Sequence, residues 1–276
     1  MSERLKIYCV THQPLKIIDE LGFIPFGAGT GNYPNHYIHD STKDNIAEKN
    51  KYFGSLTFHY WIWKNVIQNY DDNWIGICQY RRFFIKPTYR DNLDSVSRKS
   101  NKALTVESLK DIIQNTVSDA WKNHDAILCD PYDLTKIKFS KLLKRGFRSI
   151  ISNPSILFSN KHRSIKLHFD MHHGYGNLEK AIDVMNPKDR DDFKKFCKTQ
   201  NKMSAHDSFF IKPQILKELY ENLFPWIFEC EKIFGTDLKG YDLSRIYIYL
   251  AERFIPFWLD KYYKVLPWPF IFYDTK

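Results

Sequence analysis

The sequence predicts an α/β fold in which a mixed sheet is flanked by helices and followed by a helical C-terminal part. Short apolar runs rich in β-branched residues recur through the first half of the chain and again near residue 208. Segments with apolar residues at every third or fourth position separate these runs, as is typical of helices packed on a sheet. Two long amphipathic segments, at residues 214–234 and 243–261, predict helices that close the chain.

Polar residues follow the predicted strands. The strands are predicted at residues 5–10, 74–78, 126–129 and 208–211. Thr11 and His12 follow the first strand, and Gln79-Tyr80-Arg81-Arg82 follow the second. Ligands of open α/β sheets collect at the carboxyl ends of strands, so these residues are candidates for binding.

Apolar periodicity places the remaining helices. Phe53, Leu56, Tyr60, Trp63 and Ile67 form one stripe and predict a continuous helix from residue 50. Another helix is predicted to begin after an N-cap at Thr105 and to run to Trp121, and a third to begin at Leu178. The polar residues 90–102 predict a surface loop.

Composition favours one domain over residues 1–276. A chain of this length with 43% hydrophobic residues can bury a single large core. Its apolar stretches, such as those at 61–63 and 254–259, are far shorter than the ~20 residues of a membrane-spanning helix. The first ten residues lack the features of a secretory signal, so a cytoplasmic location is the expectation. Five scattered cysteines without a C-x-x-C pair predict reduced, buried thiols.

The positive charge is concentrated in one stretch. The net charge is +9, and nine basic residues with no acidic residue lie between Leu134 and Phe169. Phe139, Leu142 and Phe147 belong to an apolar set at helical spacing in this stretch. A basic amphipathic segment of this kind fits either a peripheral site on an anionic membrane surface or a helix packed on the domain with solvated lysines.

Two polar clusters are candidates for substrate contact. Adjacent guanidiniums at Arg81 and Arg82 suit a diphosphate, since arginine binds phosphate oxygens in a bidentate manner; the alternative is a surface pair with ordinary ion partners. Residues 44–50, which include Asp44, Asn45 and Lys49, could hold a sugar or base, or could cap the helix that follows.

Metal-ligand patterns are weak. Asp189-Arg190-Asp191 is the only Asp-x-Asp triplet, and its position after Pro187 predicts the first turn of a helix. Asp130 and Asp133 have a strand-end setting but the wrong spacing. His168, His172, His173 and His206 form no complete zinc pattern, so substrate contact or packing is the preferred interpretation.

Several of these residues belong to a recognisable set of motifs. The matching pieces are residues 7–12, 44–46, 49–50, 56–65, 75–84, 168–173, 209–211 and 250–254. Tyr-Trp-x-Trp-Lys-Asn at 60–65 and Tyr-Arg-Arg-x-Phe at 80–84 are the specific ones. Over nearly its full length, the chain resembles the bacterial family called domain of unknown function 4422, which consists of capsular-polysaccharide-type glycosyltransferases. It departs from the family at Gln79, where histidine is usual, and at Ser208, where asparagine is usual.

The resemblance implies a GT-A-like fold and transfer of a hexose, galactofuranose or galactose, from a UDP-sugar to a growing capsular or lipopolysaccharide glycan. Residues 1–133 would bind the nucleotide sugar, and residues 134–276 would form the acceptor-side, helical part, with a free or lipid-linked glycan as acceptor. The residues assigned to substrate binding are Thr11, His12, Asp44, Asn45, Lys49, Asn50, Tyr60, Trp63, Lys64, Gln79, Tyr80, Arg81, Arg82, His172, His173, His206 and Glu252.

The expected mechanism is an inverting, metal-independent transfer. Arg81 and Arg82 stand where related folds carry Asp-x-Asp, so no metal cofactor is expected, with Mn²⁺ or Mg²⁺ as the alternative. Asp207, next to His206 and before a predicted strand, is the candidate general base, and Asp130 and Glu252 are alternatives. The alternative hypothesis is a non-catalytic basic module that binds nucleic acid or glycan. Nucleic acid is not the expected partner, because the aromatic residues recur at the spacing of buried helix faces and are not interleaved with the basic residues.

Overall fold

A computed structural model describes residues 4–90 and 105–274 of the chain. Apart from Arg90, the predicted loop at residues 90–102 lies outside the described residues. Within these two ranges, no helix combines the length and the apolar character needed to cross a membrane. The five cysteines are buried free thiols, as predicted.

A mixed sheet forms the centre of the molecule. Its strands are β1 (Lys6–Thr11), β2 (Ile24–Gly27), β3 (Ile38–His39), β4 (Ile75–Gln79), β5 (Arg82–Phe84), β6 (Ala126–Cys129), β9 (Phe209–Ile211), β10 (Val265–Trp268) and β11 (Phe270–Phe272), while β7 (Tyr132–Asp133) and β8 (Lys202–Met203) pair separately. The main order is β10-β6-β9-β4-β1-β2-β3, and β5 pairs with β4 and β11. Strand β9 runs antiparallel to β4 and β6, and the other pairs in this row are parallel.

Helices cover both faces of the sheet. They are α1 (Lys16–Glu20), α2 (Asn50–Phe53), α3 (Leu56–Asn65), α4 (Val106–Ile112), α5 (Phe139–Arg145), α6 (Phe147–Ser152), α7 (Ile165–His173), α8 (Asn177–Asp183), α9 (Pro187–Thr199), α10 (Pro213–Phe234), α11 (Tyr241–Ser244) and α12 (Ile246–Tyr262). The predicted α/β class with a mixed sheet and flanking helices is confirmed.

Alternation along the strands divides the apolar side chains between two cores. Phe209 and Ile211 of β9 pack into the larger core with α3, α10 and α12, while Phe210 enters the smaller core with α1, α4 and Trp121. Gly76 lies between these layers, where an added Cβ would come within 2.8 Å of the Ile7 side chain. The glycine therefore permits the close packing of β1 and β9 on β4.

Three predicted elements differ from the structure. The helix predicted from residue 50 is interrupted at Gly54, which has a φ of +57° and separates α2 from α3. The helix that begins after Thr105 ends at Ile112 and does not reach Trp121. The chain does not end in helices, because β10 and β11 return to the sheet after α12. Residues 134–276 thus contribute strands to the same sheet as residues 1–133.

Candidate functional site

The carboxyl ends of β1 and β4 border a cavity of about 550 Å³. These strands are adjacent and parallel, so the residues that follow them meet at one edge of the sheet. Of the residues predicted from the sequence, those that line this cavity are Thr11, His12, Asn50, Gln79, Tyr80, Arg81, Arg82 and Glu252. The strand-end placement of Thr11, His12 and the segment 79–82 is confirmed.

The lining of this first cavity is strongly positive. Arg81 and Arg82 follow β4, and Arg245 joins them from the residue just before α12. Glu252 is the one carboxylate among the described lining residues. Burial, with the neighbouring charges of Arg81 and Arg245, lowers the pKa of His12 from its usual value, so this imidazole is neutral at physiological pH. A cavity of this charge suits an anionic ligand.

Aromatic rings hold the cationic side chains in place. The guanidinium of Arg81 lies 5.0 Å from the ring centre of Tyr80, and that of Arg245 lies 5.0 Å from the ring centre of Tyr241. The His12 ring meets Tyr80 edge to face at 4.9 Å. Cation–π contacts of this kind favour the guanidinium over the ring face. The cavity therefore has charged groups in fixed positions next to flat aromatic surfaces.

Asp207 lies behind the wall of the first cavity and does not line it. Its side chain is fully buried and accepts hydrogen bonds from Ser55, Gln79 and His59, the last at 3.0 Å. Gln79 in turn accepts a hydrogen bond from Arg82. Because Ser55 and Gln79 both line the cavity, Asp207 fixes two groups of its wall and, through Gln79, the guanidinium of Arg82.

The buried carboxyl of Asp207 is ionised. Burial raises its pKa, but hydrogen bonds from His59 and Ser55 and the charges of His59 and Arg82 outweigh burial and lower the pKa to about 2. The Tyr220 hydroxyl lies 2.7 Å from Nδ1 of His59. Burial raises the pKa of Tyr220, so this phenol keeps its proton. The placement of Asp207 does not fit the base predicted from the sequence, because a general base must reach the acceptor hydroxyl.

A second cavity, of about 400 Å³, adjoins the first. It is lined by the predicted residues His172, His173, His206 and Glu252, and by His168. Arg82, Tyr249, Glu252 and Phe272 line both cavities, so Glu252 stands at their junction. Its carboxylate contacts the Arg253 guanidinium at 3.1 Å.

The histidines of the second cavity offer both donors and acceptors. Burial lowers the pKa of His172. Burial and the nearby charge of Arg253 together lower the pKa of His173 to about 2. Each donates its Nδ1 proton to a backbone carbonyl, of His168 at 3.0 Å and of Asp242 at 2.9 Å, which leaves Nε2 as an acceptor. Arg253 donates to Nδ1 of His168 at 3.2 Å, so Nε2 of His168 carries the proton. His173 also stacks on Tyr249 at 4.0 Å.

Three residues predicted in the segment 44–50 make structural contacts instead. Asp44 accepts a hydrogen bond from Tyr60 at 3.3 Å, and Asn45 caps its own turn by accepting from the Ala47 amide at 3.1 Å. Lys49 is paired with both oxygens of Glu231 at 2.6 Å. Asn45 therefore stabilises a turn, but neither it nor Asp44 caps α2, because the residue before that helix, Lys49, has no side-chain cap. None of the three residues lines either cavity.

The aromatic residues predicted on α3 pack between helices. Trp63 stacks on Phe224 of α10 at 5.3 Å, with 2° between the ring planes, and Tyr60 meets Phe224 edge to face at 5.4 Å. The ammonium of Lys64 lies 3.7 Å from the centre of the Trp63 ring. Tyr60 and Trp63 thus attach α3 to α10, Lys64 covers the Trp63 ring, and none of the three lines either cavity. The motif that contains them specifies packing.

Sequence reasoning missed several lining residues. They are Ser55, Tyr241, Asp242, Arg245, Tyr249 and Phe272. Tyr241 lies just before the helix predicted at residues 243–261 and Arg245 lies within its first turn, so this Tyr–Arg pair was the available signal. Nothing in the local pattern indicated that this segment folds back onto residues 79–82.

The candidate metal ligands are occupied by other partners. Asp189 lies in the first turn of α9 and accepts hydrogen bonds from Lys261 at 2.8 Å and Tyr262 at 2.7 Å, which agrees with its predicted structural role. Asp130 pairs with Arg90 at 3.0 Å, and Asp133 accepts from the amide of Thr135 at 2.8 Å. Over residues 4–90 and 105–274, no three His, Cys, Asp or Glu side chains are grouped to hold a metal ion.

Comparison with known proteins gives a family and a fold. The family described as a domain of unknown function, DUF4422, matches residues 6–263. No curated protein matches the chain. Among solved structures, the apo form of the bifunctional glycosyltransferase WbbM is similar at 19% identity and a TM-score of 0.63, over 99% of this chain and 46% of that one. The likeness shows a shared fold, and the chain spans about half the length of that protein.

Proposed function

The chain belongs to the DUF4422 family, and we propose that it is a glycosyltransferase that moves a hexose from a UDP-sugar to a growing capsular or lipopolysaccharide glycan. The observation that carries the proposal is the pair of adjoining cavities, one lined by arginines and one by histidines, with a single shared carboxylate among the described residues. The similarity to a bifunctional glycosyltransferase supports the same reaction class. Galactofuranose and galactose are the proposed sugars.

The first cavity is the proposed donor site. A nucleotide sugar carries a diphosphate, and Arg81, Arg82 and Arg245 supply guanidiniums that bind phosphate oxygens through charge-assisted hydrogen bonds. Tyr80 and the neutral ring of His12 offer flat surfaces for the base or the sugar. Because arginines neutralise the diphosphate, the proposed transfer uses no metal.

The second cavity is the proposed acceptor site. Sugar hydroxyls are uncharged groups that both donate and accept hydrogen bonds, and the neutral histidines provide both kinds of partner. Tyr249, on which His173 stacks, adds an aromatic surface against which a sugar ring packs. The proposed acceptor is the terminal residue of a free or lipid-linked glycan.

Glu252 is the proposed general base, in place of Asp207. Its position between the cavities puts a carboxylate where an acceptor hydroxyl would meet the anomeric carbon of the donor. The hydroxyl oxygen bonds to that carbon from the side opposite the diphosphate, and its proton passes to Glu252. The bond from the anomeric carbon to the diphosphate oxygen breaks with its electron pair on the nucleoside diphosphate, and the arginines stabilise the charge. The configuration inverts.

Turnover of Glu252→Gln tests this assignment. The protein is first incubated with a panel of nucleotide sugars and glycan acceptors to find the pair that gives transfer. General-base catalysis typically contributes about 10²–10⁴-fold, so we expect Glu252→Gln to lower kcat by that factor with donor affinity nearly unchanged. Glu229→Gln on the exposed side of α10 is the matched control.

Two results would contradict the proposal. Binding of glycans without transfer from any nucleotide sugar would indicate a glycan-binding module. Full kcat in Glu252→Gln, in a protein that does transfer, would remove the base assignment but keep the reaction class.

A further inference from the structure

Helices α5 and α6 present an apolar stripe to the solvent. Phe139, Leu143, Phe147 and Ile151 recur every four residues across the two helices, and their exposed fractions are 57, 44, 61 and 65%. Phe158, in the turn that follows, is 86% exposed. Surface helices usually turn their apolar residues inward, and a group of exposed large apolar side chains marks a site of interaction.

The stripe is additional to the apolar face that attaches these helices to the domain. On the inner side, Leu142 and Ile156 pack against Leu167 and Met171 of α7 in a small separate core. Helix packing therefore accounts for the inner residues and leaves the outer stripe unexplained.

Three basic side chains lie beside the stripe. The segment from Leu134 to Phe169 carries nine basic residues and no acidic one. Lys144, Arg145 and Arg148 line a surface cavity of about 350 Å³ beside Phe147, with Asp170 at the same cavity. That carboxylate is paired with Lys166 at 2.6 Å, and Arg145 contacts Asp242 at 3.4 Å. The surface around the stripe is thus positive and complementary to an anionic partner.

We propose that α5, α6 and the turn to Phe158 form a docking surface for an anionic lipid bilayer. The stripe enters the boundary between headgroups and acyl chains, and the surrounding lysines and arginines contact lipid phosphates. Basic and aromatic residues also occur together on surfaces that bind single-stranded nucleic acid. Leu143 and Ile151, however, have no ring face on which a base could stack, and they are suited to acyl chains.

The docking surface adjoins the proposed acceptor site through α7. Leu167 and Met171 of this helix pack under α5 and α6, while His168 and His172 line the second cavity. Docking would therefore hold that cavity on the side of α7 opposite α5 and α6, close enough to the bilayer for a lipid-linked glycan to reach it. The role of docking in delivering a lipid-linked glycan rests on the proposed function, whereas the binding of the bilayer does not.

Vesicle co-sedimentation of the 276-residue chain tests the proposal. The vesicles are phosphatidylcholine alone or phosphatidylcholine with phosphatidylglycerol, and no donor is present. One variant, Phe147→Ser with Ile151→Ser, removes part of the stripe, and a second, Lys144→Ser with Arg148→Ser, removes charge. The matched controls are Ile233→Ser, which removes an exposed apolar residue of α10, and Lys194→Ser with Lys198→Ser on α9.

We expect the wild type and the controls to bind the anionic vesicles, with binding that falls as salt rises, and not the neutral ones. A basic residue near an anionic surface is worth about fivefold in partitioning, so the charge variant should bind about thirtyfold more weakly. The stripe variant should bind at least tenfold more weakly.

Four results would overturn the proposal: no binding of wild type to anionic vesicles, equal binding by both variants, oligonucleotide binding in place of vesicle binding, or a dimer that the stripe variant dissociates. Nucleotide-sugar binding, measured without vesicles, distinguishes a failure of the docking proposal from a failure of the proposed function. All variants should retain this binding, because none of their substitutions lies in the first cavity.

Discussion

Replacement of Asp207 by asparagine separates a positioning role from a catalytic one. The carboxylate is buried and accepts hydrogen bonds from Ser55, Gln79 and His59. Asparagine retains one acceptor oxygen and replaces the other by an amide donor. At least one of the three neighbouring donors would then face another donor, and the wall of the first cavity that Gln79 and Ser55 form would lose its anchor.

The pKa of Asp207 sets the scale of the effect. The folded value of about 2, against 3.8 for the unperturbed carboxyl, corresponds to about 2 kcal/mol, since one pKa unit is about 1.4 kcal/mol. Loss of one partner of a buried pair costs about 3–5 kcal/mol in other proteins. We therefore expect Asp207→Asn to lower the free energy of unfolding by about 2–4 kcal/mol at pH 7.

The same linkage predicts a dependence on pH. The folded pKa is depressed, so the stabilisation by the ionised carboxylate is complete above the unfolded pKa near 4 and is lost as the pH falls towards 2. The asparagine variant has no group to titrate at this position. The difference in unfolding free energy between the two proteins should therefore narrow by about 1 kcal/mol between pH 7 and pH 3.

Urea unfolding followed by circular dichroism measures these differences, and calorimetry with the nucleotide sugar measures donor affinity. Asp183→Asn, at an exposed position of α8, is the matched control and should behave as wild type. A positioning role predicts that donor affinity and kcat both fall, since Gln79 and Arg82 are displaced. Wild-type stability in Asp207→Asn would refute the argument from burial. Intact donor affinity with kcat lowered more than a thousandfold would make Asp207 the base after all.

Two further predictions concern the donor site. Arg81→Ala and Arg82→Ala should each weaken donor binding about 10- to 150-fold, because a hydrogen bond to a charged group is worth about 1.5–3 kcal/mol. Calorimetry measures the donor affinity, with Arg148→Ala as the control. Unchanged affinity in both folded variants would disprove the diphosphate assignment. Transfer should continue in EDTA, since arginines line the donor cavity. Loss of turnover that Mn²⁺ or Mg²⁺ restores would contradict metal independence, and Asp130 and Asp133 would be tested next.

Local pattern was enough to locate the residues at the strand ends. Apolar runs predict β1 and β4, and each run puts the residues that follow it, His12 and Arg81 among them, at the carboxyl end of a strand. The parallel pairing that brings these two ends to one edge is a finding of the structure. The helix positions of α9 and α10 and the structural role of Asp189 likewise followed from periodicity and capping. These features depend on residues close in the chain, which is why the sequence alone determines them.

Tertiary structure decided which polar residues face a cavity. Asp207 and Glu252 were both candidate carboxylates, but Asp207 is enclosed by Ser55, His59 and Gln79, which are more than 120 residues away in sequence. Arg245 reaches the cavity only because the segment before α12 folds back over β4.

The stripe on α5 and α6 has the periodicity of a buried face, and only the packing of Leu142 on α7 shows that a second apolar face points outward. Periodicity records the face to which a side chain belongs, whereas contacts distant in sequence determine what covers that face.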